Sequence, residues 1–202
     1  MRASAVTRHR PADNPFASHR VEGLAYRFNG LGLTSLRQRL EEMGGHLAII
    51  GPKGSGKTTL LEELASTLPG EPVLVLIEGG CRHPWRTARA QLPRPVTTNH
   101  LVMVDGAEQL GPIKWRLLLR ATRRARTFVA TLHRPGKLPT LIECWTDHAL
   151  LRNLVEELLP KDSPVLAPGL EELFERHQGN IRSCFRELYD VYAGRSVHPG
   201  PL

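Results

Sequence analysis

The feature that most restricts the fold of this chain is a glycine-rich segment placed between two apolar ones. Residues 46–51 read HLAIIG, residues 51–58 read GPKGSGKT, and residues 57–68 read KTTLLEELASTL, with leucines at helical spacing. The middle segment matches the phosphate-loop pattern G-x-x-x-x-G-K-[ST], and its flanks are the buried strand and the helix that this pattern requires. We therefore predict a strand, a tight glycine turn and a helix in direct succession.

Each part of this segment has a role in holding phosphate. Glycines let the backbone turn until successive N–H groups converge on phosphate oxygens, and the helix start adds more N–H groups and a positive dipole end. Lys57 would reach the β- and γ-phosphates and stabilise charge on the transferring group, and the Thr58 hydroxyl would bind Mg²⁺. The predicted nucleotide-binding residues are Gly51, Pro52, Lys53, Gly54, Ser55, Gly56, Lys57, Thr58 and Thr59.

A second apolar segment presents an acid. Residues 100–110 read HLVMVDGAEQL, which is typical of a buried strand that ends at Asp105. Such an Asp suits the acidic partner of Mg²⁺, beside Thr58; the alternative is an Asp that caps the following helix. Gly106 stands where many ATPases with this phosphate-loop pattern place a glutamate. Glu108 therefore becomes the candidate for orienting the attacking water.

The remaining pattern alternates apolar strands with helices. Strands are predicted over residues 72–80, 127–133 and 140–147, and helices over residues 34–43 and 111–124. Strands that alternate with helices and short turns predict an α/β fold with a parallel sheet and helices on both faces.

From Asp147 onward the pattern is helical only, which predicts a separate helical appendage. The expected organisation is a basic N-terminal arm over residues 1–20, an α/β core over 21–147, the helical appendage over 148–193, and a tail over 194–202.

Composition bears on the surface charge, the state of the cysteines and the cellular location of the chain. The net charge is +7 and the pI about 9.8, so the surface either attracts nucleic acid and other anions or is simply solvated. Three widely spaced cysteines without a C-x-x-C pair predict reduced thiols, at Cys81, Cys144 and Cys184. Because the apolar runs are short and the N-terminus lacks a signal-peptide core, we expect a cytoplasmic protein without membrane insertion.

The segments GPKGSGKT and LVMVD together resemble the AAA+ branch of the P-loop ATPases, and the resemblance covers most of the chain. It implies a P-loop NTPase fold with a C-terminal helical lid, and ATP and Mg²⁺ as cofactors. The family's sensor 1 position falls at the end of the fourth strand, where Thr131 and His133 are equal candidates.

Two further segments carry a resemblance. GNIR, residues 179–182, resembles the family's sensor 2 signature, which would make Arg182 the residue that reaches the γ-phosphate; a solvated Arg on a capped helix is the alternative. NPF, residues 14–16, taken with DGAEQL, resembles ATPases of transposition and secretion modules.

A basic helix is predicted over residues 114–126, KWRLLLRATRRAR. Its arginines share one helical face at Arg116, Arg120, Arg123 and Arg124. Three interpretations stay open. The face is solvated; or Arg123, Arg124 or Arg126 is an arginine finger, which implies a homo-oligomer; or the face contacts phosphates of DNA or RNA.

We therefore expect an AAA+-like ATPase that couples Mg-ATP binding and slow hydrolysis to a conformational or assembly change, with DNA or a protein as its client. The missing N-K-x-D motif disfavours a GTPase, and the missing L-S-G-G-Q motif disfavours an ABC transporter subunit. One alternative is a nucleotide-dependent switch or adaptor with negligible hydrolysis, which Gly106 motivates. Another is a small-molecule kinase, since such enzymes also combine a P-loop with an Arg-bearing lid.

Overall fold

The protein consists of two compact units, each with its own hydrophobic core. The computed structural model describes residues 13–28, 30, 32–160 and 167–194. One unit, called the sheet unit here, spans Ala25–Trp145. The other, called the helical unit, combines Met1–Leu24 with Thr146–Leu202.

Five strands form the sheet: β1 (His46–Ile50), β2 (Glu71–Leu76), β3 (His100–Asp105), β4 (Thr127–Leu132) and β5 (Thr140–Glu143). Their order across the sheet is β2-β3-β4-β1-β5, and every neighbouring pair is parallel. The predicted α/β class with an all-parallel sheet is confirmed. Because the strands are parallel, their carboxyl ends meet at one edge, which is where such sheets bind ligands.

The helices are α1 (Ser18–Val21), α2 (Leu33–Met43), α3 (Lys57–Thr67), α4 (Pro84–Gln91), α5 (Pro112–Thr122), α6 (His148–Leu158), α7 (Ala167–Arg176) and α8 (Ile181–Tyr192). Two pairs of helices cover the two faces of the sheet. Leu47 and Ile49 of β1 pack in one core with α2 and α3, whereas Ala48 and Ile50 pack in another with α4 and α5. The alternation of strand side chains between faces produces this division.

The helical unit contains α1 and α6–α8. Side chains cap two of its helices: Asp147 accepts the N–H of Leu150 at 2.6 Å, and Asn180 accepts that of Ser183 at 3.2 Å. In the part of the chain that the structure describes, no helix has both the length and the apolarity needed to cross a membrane.

The segment predicted as a basic N-terminal arm is described from residue 13 onward, and this part is packed rather than extended. Phe16 is buried, with its ring 6.1 Å from that of Phe185, and the Asn14 amide donates to the Tyr189 carbonyl at 2.9 Å. Burial of the aromatic side chain joins residues 13–24 to the helical unit. Of the predicted tail, residues 195–202 lie outside the described residues.

Candidate functional site

The glycine-rich loop, residues 51–56, connects β1 directly to α3. Gly54 and Gly56 have φ angles of +76° and +80°, a region that favours glycine. A Cβ at Gly51 would lie 2.4 Å from the Cys144 carbonyl oxygen, so this position has no room for a side chain. The Ser55 hydroxyl donates to the Pro52 carbonyl at 2.9 Å and closes the loop on itself. The predicted succession of strand, glycine turn and helix is therefore present.

The start of α3 is available to an anion. The helix begins at Lys57, and its N-cap residue, Gly56, offers no side-chain hydrogen bond. The first N–H groups of any helix have no partner within that helix, and the helix dipole makes this end positive. The geometry thus favours binding of a negatively charged group at the junction of the loop and the helix.

Lys57 is folded back over the loop. Its ammonium donates to the carbonyls of Gly51 at 2.8 Å and Pro52 at 2.6 Å, and the side chain is buried. Burial lowers the pKa of Lys57, while the negative charges of Glu108 and Asp105 act in the opposite direction. A buried cation needs polar partners, and the two loop carbonyls provide them here.

A chain of hydroxyl contacts surrounds Asp105 at the end of β3. The Thr58 hydroxyl, 47 residues away in sequence, donates to one carboxylate oxygen at 2.7 Å. The Thr131 hydroxyl donates to the other at 2.5 Å and itself accepts the N–H of Gly106 at 3.2 Å. Thr131 is buried at the end of β4, which separates β3 from β1. The structure therefore brings Thr58, Asp105 and Thr131 together.

Gly106, directly after Asp105, cannot be exchanged for a residue with a side chain without rearrangement. Its φ angle is +76°, and a Cβ would lie only 1.9 Å from the Ile77 carbonyl oxygen. The segment after β2 is held there because the Ile77 N–H donates to the Asp105 carbonyl at 3.0 Å. A side chain at position 106 would overlap this backbone, so the conformation found here requires glycine.

Glu108 lies in a single 3₁₀ turn, Ala107–Gln109, and pairs with His133. A Glu108 carboxylate oxygen is 3.1 Å from His133 Nε2, and both side chains are about one-third exposed, at 28% and 33%. The other ring nitrogen, Nδ1, is 3.3 Å from the Gly51 carbonyl oxygen. Both neighbours are acceptors, so a neutral imidazole can donate to only one of them at a time. His133 thus connects Glu108 to the glycine-rich loop.

Tyr26 covers the loop from the segment that precedes α2. A Cβ at Gly56 would lie 3.1 Å from the Tyr26 ring, and the Tyr26 N–H donates to Glu63 of α3 at 3.2 Å. Burial raises the pKa of Tyr26 far above its usual value, and contact with Cys144 adds to the effect. Burial also raises the pKa of the Cys144 thiol, although the Tyr26 hydrogen bond and the Lys57 charge oppose that shift. Neither residue belongs to a recognisable local motif.

The other predicted site residues are less constrained. Pro52 and Lys53 are exposed at the loop tip, and Thr59 is half-buried in the first turn of α3. Arg182 is exposed in the first turn of α8, in the helical unit, and its role stays a prediction.

The oxygen donors at the site fit a small hard cation. Thr58 and Asp105 supply a hydroxyl and a carboxylate, and Mg²⁺ commonly uses one or two protein oxygens together with phosphates and water. Among the described residues, no three His, Cys, Asp or Glu side chains converge as a metal cluster.

No protein-family model matches this chain, and no curated protein matches it.

Proposed function

We propose that this protein is a P-loop ATPase of the AAA+ type, which couples binding of Mg-ATP, and its slow hydrolysis, to a conformational or assembly change. The observation that carries the proposal is the hydrogen bond of 2.7 Å between Thr58 and Asp105. It joins the first turn of α3 to the end of β3, and it supports the pairing of hydroxyl and acid that the two sequence segments imply.

The loop and the helix start would hold the phosphates. Their N–H groups and the Lys57 ammonium would bind the phosphate oxygens, and Lys57 would exchange its contacts with Gly51 and Pro52 for the ligand. Thr58 and Asp105 would hold Mg²⁺, which would neutralise phosphate charge when bound. Thr131 would keep the Asp105 carboxylate oriented, since it donates to the oxygen that Thr58 does not use.

Turnover would depend on Glu108. Glu108 is the other acid of residues 100–110, and its charge opposes the lowering of the Lys57 pKa by burial. In this proposal Glu108 orients the attacking water, and His133 positions Glu108. A water-orienting carboxylate that is held by one side-chain contact, from His133, fits slow rather than fast hydrolysis.

Nucleotide binding is the first test. Binding of a fluorescent ATP analogue, measured by anisotropy with Mg²⁺ present, should be saturable in the full chain and weakened at least about a hundredfold by Lys57→Ala. Arg39→Ala removes an exposed cation from α2 and should leave the affinity unchanged. Equal binding by the Lys57 variant and the parent protein would remove the proposal.

A nucleotide-dependent switch with negligible hydrolysis is the second candidate. It is favoured because no side chain, and so no carboxylate, fits at Gly106. Phosphate release from the full chain, measured against Lys57→Ala, separates the two candidates. Release above the Lys57 background supports the ATPase. Saturable binding without release above that background, with and without DNA, supports the switch.

A further inference from the structure

The positive charge of this protein is concentrated in one part of the chain. Residues 79–142 contain 12 Lys and Arg but only 2 Asp and Glu. The rest of the chain contains 15 Lys and Arg and 18 Asp and Glu. The excess of +7 over the whole chain therefore comes entirely from this segment. Both acids of this segment have partners at the candidate site. Asp105 accepts hydrogen bonds from Thr58 and Thr131, and Glu108 pairs with His133.

This segment builds one face of the sheet unit, because α4 and α5 pack together on the same side of the sheet. The helices on the opposite face are mixed in charge, with arginines and glutamates on α2 and two glutamates on α3. The exposed cations beside α4 and α5 are here called the basic face: Arg82, Arg86, Arg94, Lys114, Arg116, Arg120, Arg123, Arg124 and Arg126.

The basic face has no carboxylates of its own to neutralise it. Within the described ranges, no ion pair involves a cation of the basic face, whereas Arg152–Glu171 and Arg176–Glu187 are ion pairs of the helical unit. Arg116 and Arg120 are one turn apart on α5, and Arg123 and Arg124 follow at its end. Like charges at this spacing repel one another, which costs stability unless an anion lies across them.

We infer that the basic face binds the phosphate backbone of duplex DNA. From Arg116 to Arg123 the helix advances about 10 Å, a length over which a DNA duplex carries about six charges. Guanidinium groups bind phosphate with two parallel hydrogen bonds, which a surface adapted only for solubility does not need.

The side chains of α5 favour duplex DNA over other nucleic acids. Single strands are held by exposed aromatic rings, but Trp115, the aromatic residue of this helix, is buried. Duplex RNA is recognised partly through its 2′-hydroxyls, and residues 112–126 offer no exposed hydroxyl, amide or carboxylate side chain to them. The nine side chains of the basic face are Arg and Lys, which can bind the phosphates of any sequence, so the inference is of contact with the DNA backbone and not of base reading.

Anisotropy of a fluorescein-labelled mixed-sequence duplex of about 30 base pairs tests the inference with the full chain. We expect a Kd of about 1 µM at about 50 mM KCl and a steep linear loss of log affinity with log salt. The triple variant Arg116→Gln, Arg120→Gln, Arg124→Gln should bind at least about tenfold more weakly. Its salt slope should fall by about 2.7, because each lost phosphate contact removes about 0.9.

The control removes the same charge from elsewhere: Arg20→Gln, Arg39→Gln, Arg186→Gln, all at exposed positions. Its affinity for the duplex should stay within about twofold of the parent's, and its salt slope should differ from the parent's by less than about 0.5. Equal losses in both triple variants would show general charge attraction and overturn the inference. Tighter binding of duplex RNA or of a single strand, or displacement of the duplex by poly-glutamate at equal charge concentration, would overturn the assignment to duplex DNA.

The inference does not rest on nucleotide binding. Thermal unfolding followed by circular dichroism checks that each triple variant is folded, and the ATP-analogue assay checks that the site is intact. DNA binding that survives Lys57→Ala, together with loss of analogue binding, would show that the two sites are separable. Loss of DNA binding alone in the basic-face variant leaves the proposed ATPase untouched.

Discussion

Two acids lie three residues apart, one at the end of β3 and one just beyond it, and their surroundings differ sharply. Asp105 has both carboxylate oxygens occupied by threonine hydroxyls, one from α3 and one from the buried end of β4. Glu108 is 28% exposed, and among the described residues its side-chain partner is His133. The hydroxyl network holds Asp105 without any ligand, whereas the position of Glu108 depends on a single contact. Under the proposed function, nucleotide binding should therefore be less sensitive than turnover to substitutions near the two acids.

The largest effect should come from changing the glycine that separates the two acids. Gly106→Ala would place a Cβ against the Ile77 carbonyl in a backbone conformation that disfavours side chains, so we expect the free energy of unfolding to fall by at least about 3 kcal/mol. Urea denaturation measures this loss. Gly79→Ala, where a Cβ would meet nothing within 4 Å, is the matched control and should change stability by less than about 1 kcal/mol. Similar stabilities for the two variants would contradict the overlap at Ile77.

Glu108→Gln should separate turnover from binding. We expect kcat to fall about a hundredfold with little change in analogue affinity, since an amide keeps the shape but accepts no proton from water. Asp105→Asn is the counterpart and should instead raise KM for Mg-ATP at least about tenfold, because it removes a metal-binding charge. Phosphate release over a range of Mg-ATP concentrations gives both constants. Unchanged kcat in the Glu108 variant would take Glu108 out of the mechanism.

The smallest effect should come from His133, which acts through Glu108. His133→Ala should lower kcat about tenfold without changing KM, and His133→Gln should recover part of it, since its amide N–H can still donate to the carboxylate. In a Glu108→Gln background the His133→Ala change should have no further effect on kcat. An effect of equal size in both backgrounds would show that His133 acts independently of Glu108.

Much of this architecture could be predicted from local patterns. The apolar strands, the glycine turn and the leucine-bearing helix are each encoded by neighbouring residues, and the expected helix at residues 111–124 is found at Pro112–Thr122. The parallel sheet followed from the alternation of strands with helices. These features depend on periodicity within a segment, which a single sequence displays directly.

The finer features could not be predicted because they depend on which strand ends meet. Thr131 and His133 were indistinguishable as candidates, yet the fold directs one to Asp105 and the other to Glu108. The reason for Gly106 lies in the backbone of Ile77, which is 29 residues earlier in the chain. The packing of Phe16 with Phe185 likewise joins distant parts of the chain, so the described end of the predicted arm carried no local sign of its burial.

The central strand β4 also constrains the length of the chain. Thr131 is its fifth residue and pairs in register with Ile49 of β1, and His133 follows immediately after the strand ends. Because side chains alternate along a strand, inserting or deleting one residue between Arg126 and Thr131 would turn both side chains to the wrong face. Beyond His133 the chain runs through an exposed turn, where added residues have no such consequence. Natural variants of this protein should therefore conserve chain length between Arg126 and Thr131 and vary it more readily in the exposed turn at residues 134–137.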